Sequence, residues 1–277
     1  MPELPEVETI RNHLSSNLPG SPSILGRKIL RGRVFWDRTL ATPSVEAFDD
    51  RIQGQVIQEI GRRGKFLIFK LSEDYLLFHL RMSGDMWVRP VSEPLAAHDR
   101  LVLDLEGGWA LAFNDTRKFG RAWLVNDPQT VLHSLGPEPL SPSFTPQELY
   151  DRLHARHRQL KPLLLDQTFL AGMGNIYVDE ALNLAHLHPL QLSDSLSEAQ
   201  SERLYHSIRT VLREGIRRHG ASIDWVYRGG DFQNYFRVYS RKGEPCPECG
   251  TPIVRIVVGQ RGTYYCPVCQ PPPENRG

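Results

Sequence analysis

Pro2 is the residue with the most chemistry within reach. The chain opens Met1-Pro2-Glu3-Leu4-Pro5-Glu6-Val7-Glu8, and a residue as small as proline in second place allows the initiator methionine to be removed. The mature chain would then begin with a secondary amine. An α-amino group has an unperturbed pKa of about 8, against about 10.4 for lysine. A useful fraction is therefore neutral near pH 7 and can attack an electrophilic carbon to form an iminium ion. Glu3 adjoins that nitrogen, and Glu6 follows one helical turn on. The plainer alternative is an ordinary N-terminal helix with acids in its first turn, where the macrodipole favours them. A second set of chemistry-bearing residues closes the chain: Cys246-Pro247-Glu248-Cys249 and Cys266-Pro267-Val268-Cys269, separated by residues 250–265. Four thiolates so spaced can close one tetrahedral zinc site with no open position, so the expected cofactor is one structural Zn2+. The alternative is two disulfides of a secreted module, and the absence of a secretory signal pattern speaks against it.

These residues need elements to hold them. Val7, Ile10, Leu14 and Leu18 recur at helical spacing, which docks the amino terminus on a helix, and Pro5 suits its first turn. From about 24 to 125 the chain reads as strands: 65–71, 75–80, 101–105 and 110–113 are short apolar runs parted by turn residues, the pattern of an antiparallel sandwich or barrel. Prolines 137, 139, 142 and 146 mark a boundary that no helix crosses. Helices are expected over 146–157, 163–169 and 176–185. A further helix opens on the capping box Ser197-Glu198-Ala199-Gln200 and ends at Gly220. Strands 253–258 and 263–265 would form a zinc-pinned hairpin, with Arg261 in its tip Gly259-Gln260-Arg261-Gly262. Gly250 supplies the permissive backbone a zinc knuckle needs after its second cysteine. The fold class is α+β and multidomain, with boundaries at 1–135, 145–235 and 236–272.

A net charge of +1 does not mark a nucleic-acid binder. Its distribution says more: Arg27, Lys28, Arg31, Arg33 and Arg38 cluster, as do Arg152, Arg156, Arg158 and Lys161, and Arg213, Arg217 and Arg218. Such clusters are either solvated faces or one phosphate-binding side. No apolar run approaches bilayer length. The expected place is the cytoplasm, at the nucleoid when bound to DNA, and the expected state is a monomer with no membrane partner.

Together these segments resemble the formamidopyrimidine-DNA glycosylase family. The likeness is carried by MPELPEVET at the start, GRRGKFL around Lys65, HLRMSG at 79–84, NDTRKFG at 114–120, GMGNIYVDEAL at 172–182 and the hairpin ending QRGTYYCPVCQ. The resemblance implies an N-terminal β-sandwich with a terminal helix, a helical helix–two-turn–helix module and a C-terminal zinc finger. It implies excision of oxidised purines, 8-oxoguanine and formamidopyrimidines, from double-stranded DNA, followed by β,δ-elimination at the abasic site. On the matching positions it makes Pro2 the Schiff-base nucleophile, Glu3 the proton donor, Lys65 a contributor to β-elimination and Arg261 a phosphate ligand for δ-elimination. Glu6, His79, His98, Arg117 and Asn175 fall among its DNA contacts, and either His157 or Arg158 takes a further basic contact. Met82, Arg117 and Phe119 match the residues that fill the void left by an extruded base, a space that apolar wedges can partly occupy.

The segment 220–233 departs from the family pattern, with Trp225 and Tyr227 prominent where the lesion-covering loop falls. Two other readings are an endonuclease VIII-like glycosylase for oxidised pyrimidines and a catalytically silent lesion-binding protein. Arg117 with Phe119 speaks against the first, and Pro2, Glu3 and Lys65 together speak against the second.

Overall fold

The computed structural model describes residues 1–222 and 229–273, and Trp225 and Tyr227 lie outside them. The chain divides into two compact units, the first built on Met1–His133 and the second on Ser134–Ala221 with the residues from Gly230 on.

The first unit opens with helix α1 (Leu4–Ser15). Strands β1 (Ile29–Val34) and β2 (Leu40–Thr42), helix α2 (Val45–Ile52) and strands β3 (Ile57–Arg63), β4 (Phe66–Leu71), β5 (Tyr75–His79), β6 (Gly84–Pro90), β7 (Asp99–Leu105), β8 (Trp109–Asp115) and β9 (Arg121–Val125) follow, then the short helix α3 (Gln129–Leu132). The strands form two sheets, ordered β1-β7-β8-β6 and β2-β9-β5-β4-β3. Every pairing is antiparallel except that of the brief β2 with β9. Period-two alternation lets each sheet turn one face inward. Phe69, Phe78 and Leu124 of one sheet share a single buried core with Leu101, Leu103 and Phe113 of the other. Val7, Ile10 and Leu14 of α1 belong to the same core, so the helix that carries the amino terminus is fixed to the sandwich.

In the second unit, helices α4 (Pro146–His154), α5 (Leu160–Leu165), α6 (Asn175–Leu184) and α7 (Glu198–Arg217) precede strands β10 (Val254–Val258) and β11 (Arg261–Tyr265). Ser197 and Gln200 form the expected reciprocal cap of α7. Its C-terminus closes with Gly220 N–H on the Gly215 carbonyl at 2.7 Å and His219 N–H on Ile216 at 3.0 Å. This is the paired-bond closure that needs a left-handed residue after the cap, and His219 (φ 57°) supplies it one position before the expected glycine. Among the described residues no helix is long and apolar enough to cross a membrane.

The hairpin differs from expectation at its tip. Val258 pairs directly with Arg261. Gly259 (φ 53°) and Gln260 (φ 62°) therefore make a two-residue turn with positive φ at both positions, the form whose twist matches a hairpin. Arg261 is the first residue of β11, exposed beside the turn rather than inside it. A second correction concerns the basic cluster at 152–161. Lys161 is not on a solvated face: it is fully buried, its Nζ 2.6 Å from Asp179 Oδ1.

Candidate active site

In the first unit, the amino-terminal turn is held by a reciprocal cap. Glu3 is the N-cap of α1; its carboxylate accepts the Glu6 N–H, and the Glu6 carboxylate accepts the Glu3 N–H at 2.8 Å. Pro5, inside the first turn, has no N–H to leave unsatisfied. Pro2 is buried, Glu3 is 2% and Glu6 3% exposed, while Met1 stands out in solvent. Glu6 is thus engaged in fixing the backbone of the residue next to Pro2.

The connection between β3 and β4 carries Lys65. Arg62 Nε is 2.7 Å from Glu8 Oε2 of α1, and Arg62 Nη1 donates to the Gly64 carbonyl at 2.9 Å. One guanidinium therefore ties α1 to the turn that presents Lys65, which is 5% exposed. Burial alone would raise the pKa of Glu8, but the hydrogen bonds from Arg62 and Arg11 hold it below the usual carboxylate range. His79 is paired across the sheet with Phe66, the rings edge-on at 4.8 Å. Burial, then the charges of Arg81 and Lys65, push its pKa down to about 3. Its Nδ1 accepts the Arg81 N–H at 3.0 Å, so the neutral ring carries its proton on Nε2. It is a hydrogen-bond donor without a charge.

The wedge candidates sit on two neighbouring connections, β5–β6 and β8–β9. Met82 is 39% and Phe119 50% exposed, large apolar side chains directed into solvent. The Arg117 guanidinium lies 5.1 Å from the Phe119 ring centroid. His98 is exposed, on a loop anchored from behind: Asp99 accepts from Arg89 Nη2 at 2.6 Å, Ala96 N–H at 2.9 Å and Asn114 Nδ2 at 2.9 Å.

In the second unit, Asn175 begins α6 behind a Gly174 cap that has no side chain to offer. Asn175 Nδ2 and Lys161 Nζ both donate to the Gly262 carbonyl, at 3.1 and 3.0 Å. Asp179 Oδ2 accepts the Tyr264 N–H at 2.9 Å. Three side chains of the helices thus fix the backbone just after Arg261. Burial pushes the Asp179 carboxyl up to about 7, with the Lys161 ammonium pulling against it. His157 and Arg158 are both exposed and both paired, to Asp194 at 2.7 Å and Asp166 at 2.8 Å.

The four cysteines are unoxidised, and their sulfurs all lie within 4.8 Å of one another. Cys246 and Cys269 sulfurs are 3.9 Å apart and Cys249 and Cys266 sulfurs 3.4 Å. A tetrahedron with Zn–S bonds of about 2.3 Å has edges of about 3.8 Å, so the cage fits zinc. Both knuckles close alike, Gly250 N–H on the Cys246 carbonyl and Gln270 N–H on that of Cys266.

Three family models cover most of the chain: the formamidopyrimidine-DNA glycosylase N-terminal domain at residues 1–122, the H2TH domain of those enzymes at 135–226, and a zinc finger found in FPG and IleRS at 243–272. The chain belongs to the formamidopyrimidine-DNA glycosylase family. Curated members from Symbiobacterium thermophilum and Geobacillus kaustophilus are each 44% identical to it. The alignments span 99% and 98% of this chain and 90% and 100% of theirs. A structure of MutM in complex with DNA containing carbocyclic 8-oxo-G superposes with a TM-score of 0.90 at 37% identity, covering 98% of this chain and all of that one. The Lactococcus lactis Fpg bound to abasic-site DNA superposes at 0.89, with the same identity and coverage. The chain is accordingly a base-excision-repair DNA glycosylase of the type that also has AP lyase activity, with one structural zinc in its C-terminal finger.

Sequence reasoning singled out Pro2, Glu3, Lys65 and Arg261 but gave no role to Glu8, Arg62, Asp99 or Asp179, which position them or their neighbours, and it placed Lys161 only in a basic surface cluster. Arg62 and Asp179 stand inside quoted motifs, GRRGKFL and GMGNIYVDEAL, and that was the available signal.

Proposed function

We propose that this enzyme excises oxidised purines, 8-oxoguanine and formamidopyrimidines, from duplex DNA through a Schiff base at Pro2, then cleaves the strand by β,δ-elimination. The observation that carries this reading is the reciprocal Glu3–Glu6 cap, which holds Pro2 and Glu3 in one fixed turn. With Met1 removed, the Pro2 nitrogen attacks C1′, and the base departs with the electron pair of the glycosidic bond. Glu3 delivers a proton to the opening sugar ring, a role worth roughly two to four orders of magnitude in rate. The attacking amine gives up its single N–H proton, which the departing base takes up, and opening of the ring then leaves an iminium cation with no N–H proton left to lose. Its charge acidifies the C2′ hydrogen; loss of that proton expels the 3′ phosphate, and a second elimination expels the 5′ phosphate. Lys65, buried in the turn tied to α1, assists the first elimination, and Arg261 binds phosphate for the second.

His79, His98, Arg117 and Asn175, with His157 or Arg158, contact the DNA, while Met82, Arg117 and Phe119 fill the space of the extruded nucleotide. His79 does so as a neutral Nε2–H donor. The enzyme works in the cytoplasm on the nucleoid, with its sandwich, helical module and zinc finger at about the boundaries expected from the sequence.

The test is hydride trapping. Borohydride added during turnover on 8-oxoguanine duplex should give a covalent adduct whose peptide maps to residue 2. Extending the chain ahead of Pro2 should abolish both trapping and strand cleavage, since an amide nitrogen is not nucleophilic. An adduct on Lys65, with full activity of the extended chain, would refute the assignment.

A further inference from the structure

Two connections of the first unit carry the wedge side chains, and both converge on one carboxylate. Asp115, the last residue of β8, is wholly buried. Its Oδ1 accepts the Arg117 N–H at 3.1 Å and the Ser83 hydroxyl, and its Oδ2 accepts the Gly120 N–H at 2.7 Å. The Ser83 hydroxyl oxygen in turn accepts the Arg117 N–H at 3.1 Å. Ser83 follows Met82 on the β5–β6 connection, while Arg117 and Gly120 bracket Phe119 on β8–β9. The chain can turn so tightly around Asp115 because residue 120 has no Cβ. One added there would lie 2.3 Å from the Phe113 ring and 3.2 Å from Asp115 Oδ2.

We propose that Asp115 and Ser83 are positioning residues that lock the two connections into one piece, so that Met82, Arg117 and Phe119 enter the duplex together. The proposal rests on the reading of these three as void-filling residues. Physically, side chains on two independently mobile loops would each lose conformational freedom on entering a base stack. Loops joined at a buried base have lost most of that freedom before DNA binds, and the reacting geometry is reached without it. The chemistry of the pin requires an acid. Both carboxylate oxygens face donors, so an amide in its place would turn an NH2 toward one of them.

The full-length, zinc-loaded enzyme tests this with two duplexes, one with 8-oxoguanine opposite cytosine and one with a preformed abasic site, under single turnover. Ser83→Ala and Asp115→Asn should each lower excision of the paired lesion by about tenfold, the scale of losing a buried hydrogen bond. Cleavage at the abasic site, where no base must be unstacked, should fall by no more than about twofold. Ser83→Thr, which keeps the hydroxyl, should restore excision. In combination with Phe119→Ala, Ser83→Ala should add little further loss, since both remove the same insertion. Equal losses on the two substrates, or fully additive losses in the double variant, would overturn the proposal. Ser83→Ala decides the matter if Asp115→Asn does not fold. If Phe119→Ala itself affects both substrates equally, the wedge reading falls and the pin with it. If Phe119→Ala discriminates and Ser83→Ala does not, the pin alone falls.

Discussion

Glu6 offers a perturbation whose two explanations predict opposite kinetics. As a DNA contact, it would act on binding; as the partner of the Glu3 N–H, it acts on the placement of Pro2 and Glu3. The hydrogen bond is 2.8 Å long, and both residues are almost wholly buried. Glu6→Ala leaves a buried donor without its acceptor, a cost of about 1–3 kcal/mol. That is small against a typical total stability of about 5–15 kcal/mol, so the variant should fold. It is large against the precision the chemistry needs, since a displacement of about 1 Å in a reacting group can cost on the order of a hundredfold in rate. Glu6→Gln keeps an acceptor oxygen and should fall in between. The assay is single-turnover borohydride trapping on abasic-site DNA at saturating enzyme, with Kd measured separately on a non-cleavable analogue. Positioning predicts a trapping rate at least about tenfold lower for Glu6→Ala, with Kd changed by less than about twofold. A weakened Kd with a wild-type rate at saturation would instead make Glu6 a DNA contact and refute the argument.

Three further outcomes are expected. His79 has its pKa lowered to about 3 in the fold, against about 6.5 when unfolded, so between these values the unfolded chain holds the extra proton. Its stabilising effect is present above pH 6.5 and is lost as pH falls toward 3, by about 1.4 kcal/mol per unit. Denaturation midpoints of wild type and His79→Gln from pH 7 to 4 measure it, and a ring resonance titrating near 6.5 would contradict it. Metal analysis of the purified chain should give one zinc, and a strong chelator should unfold the hairpin and weaken DNA binding; full binding by metal-free protein would contradict a structural zinc. Arg261→Ala should weaken binding to damaged and undamaged duplex alike and reduce the salt slope by about one, whereas an unchanged slope would remove Arg261 from the phosphate contacts.

Much of this architecture could be read from the sequence because its signals are local. The strands 66–71 and 75–79 fell within a residue of the apolar runs at 65–71 and 75–80, since each run faces a buried core and turn residues bound it. The α7 cap is a four-residue pattern and was legible as one. Helix α2 was not, because only Phe48 and Ile52 of Val45–Ile52 are buried and four of the other six residues, Glu46, Asp49, Asp50 and Arg51, are charged. The place of Arg261 shifted by one position because nothing in Gly-Gln-Arg-Gly says which two residues take positive φ.

The candidate site divides the same way. Residues that would do chemistry, Pro2 and the four cysteines above all, announce themselves by type and spacing. Those that hold them in place do not. Glu6, Asp99, Asp115 and Asp179 look like ordinary surface acids in the sequence, yet each is buried and each accepts at least one backbone N–H. A backbone donor has no residue type, so no pattern of letters can reveal that a carboxylate is matched to one. What tells such an acid from a solvated one is the cost of burying it unpaired, and that cost becomes visible only once the chain is folded. In this enzyme the carboxylates to mutate first are therefore the buried ones without a reaction of their own, because their loss should move geometry and rate while leaving the reacting groups intact.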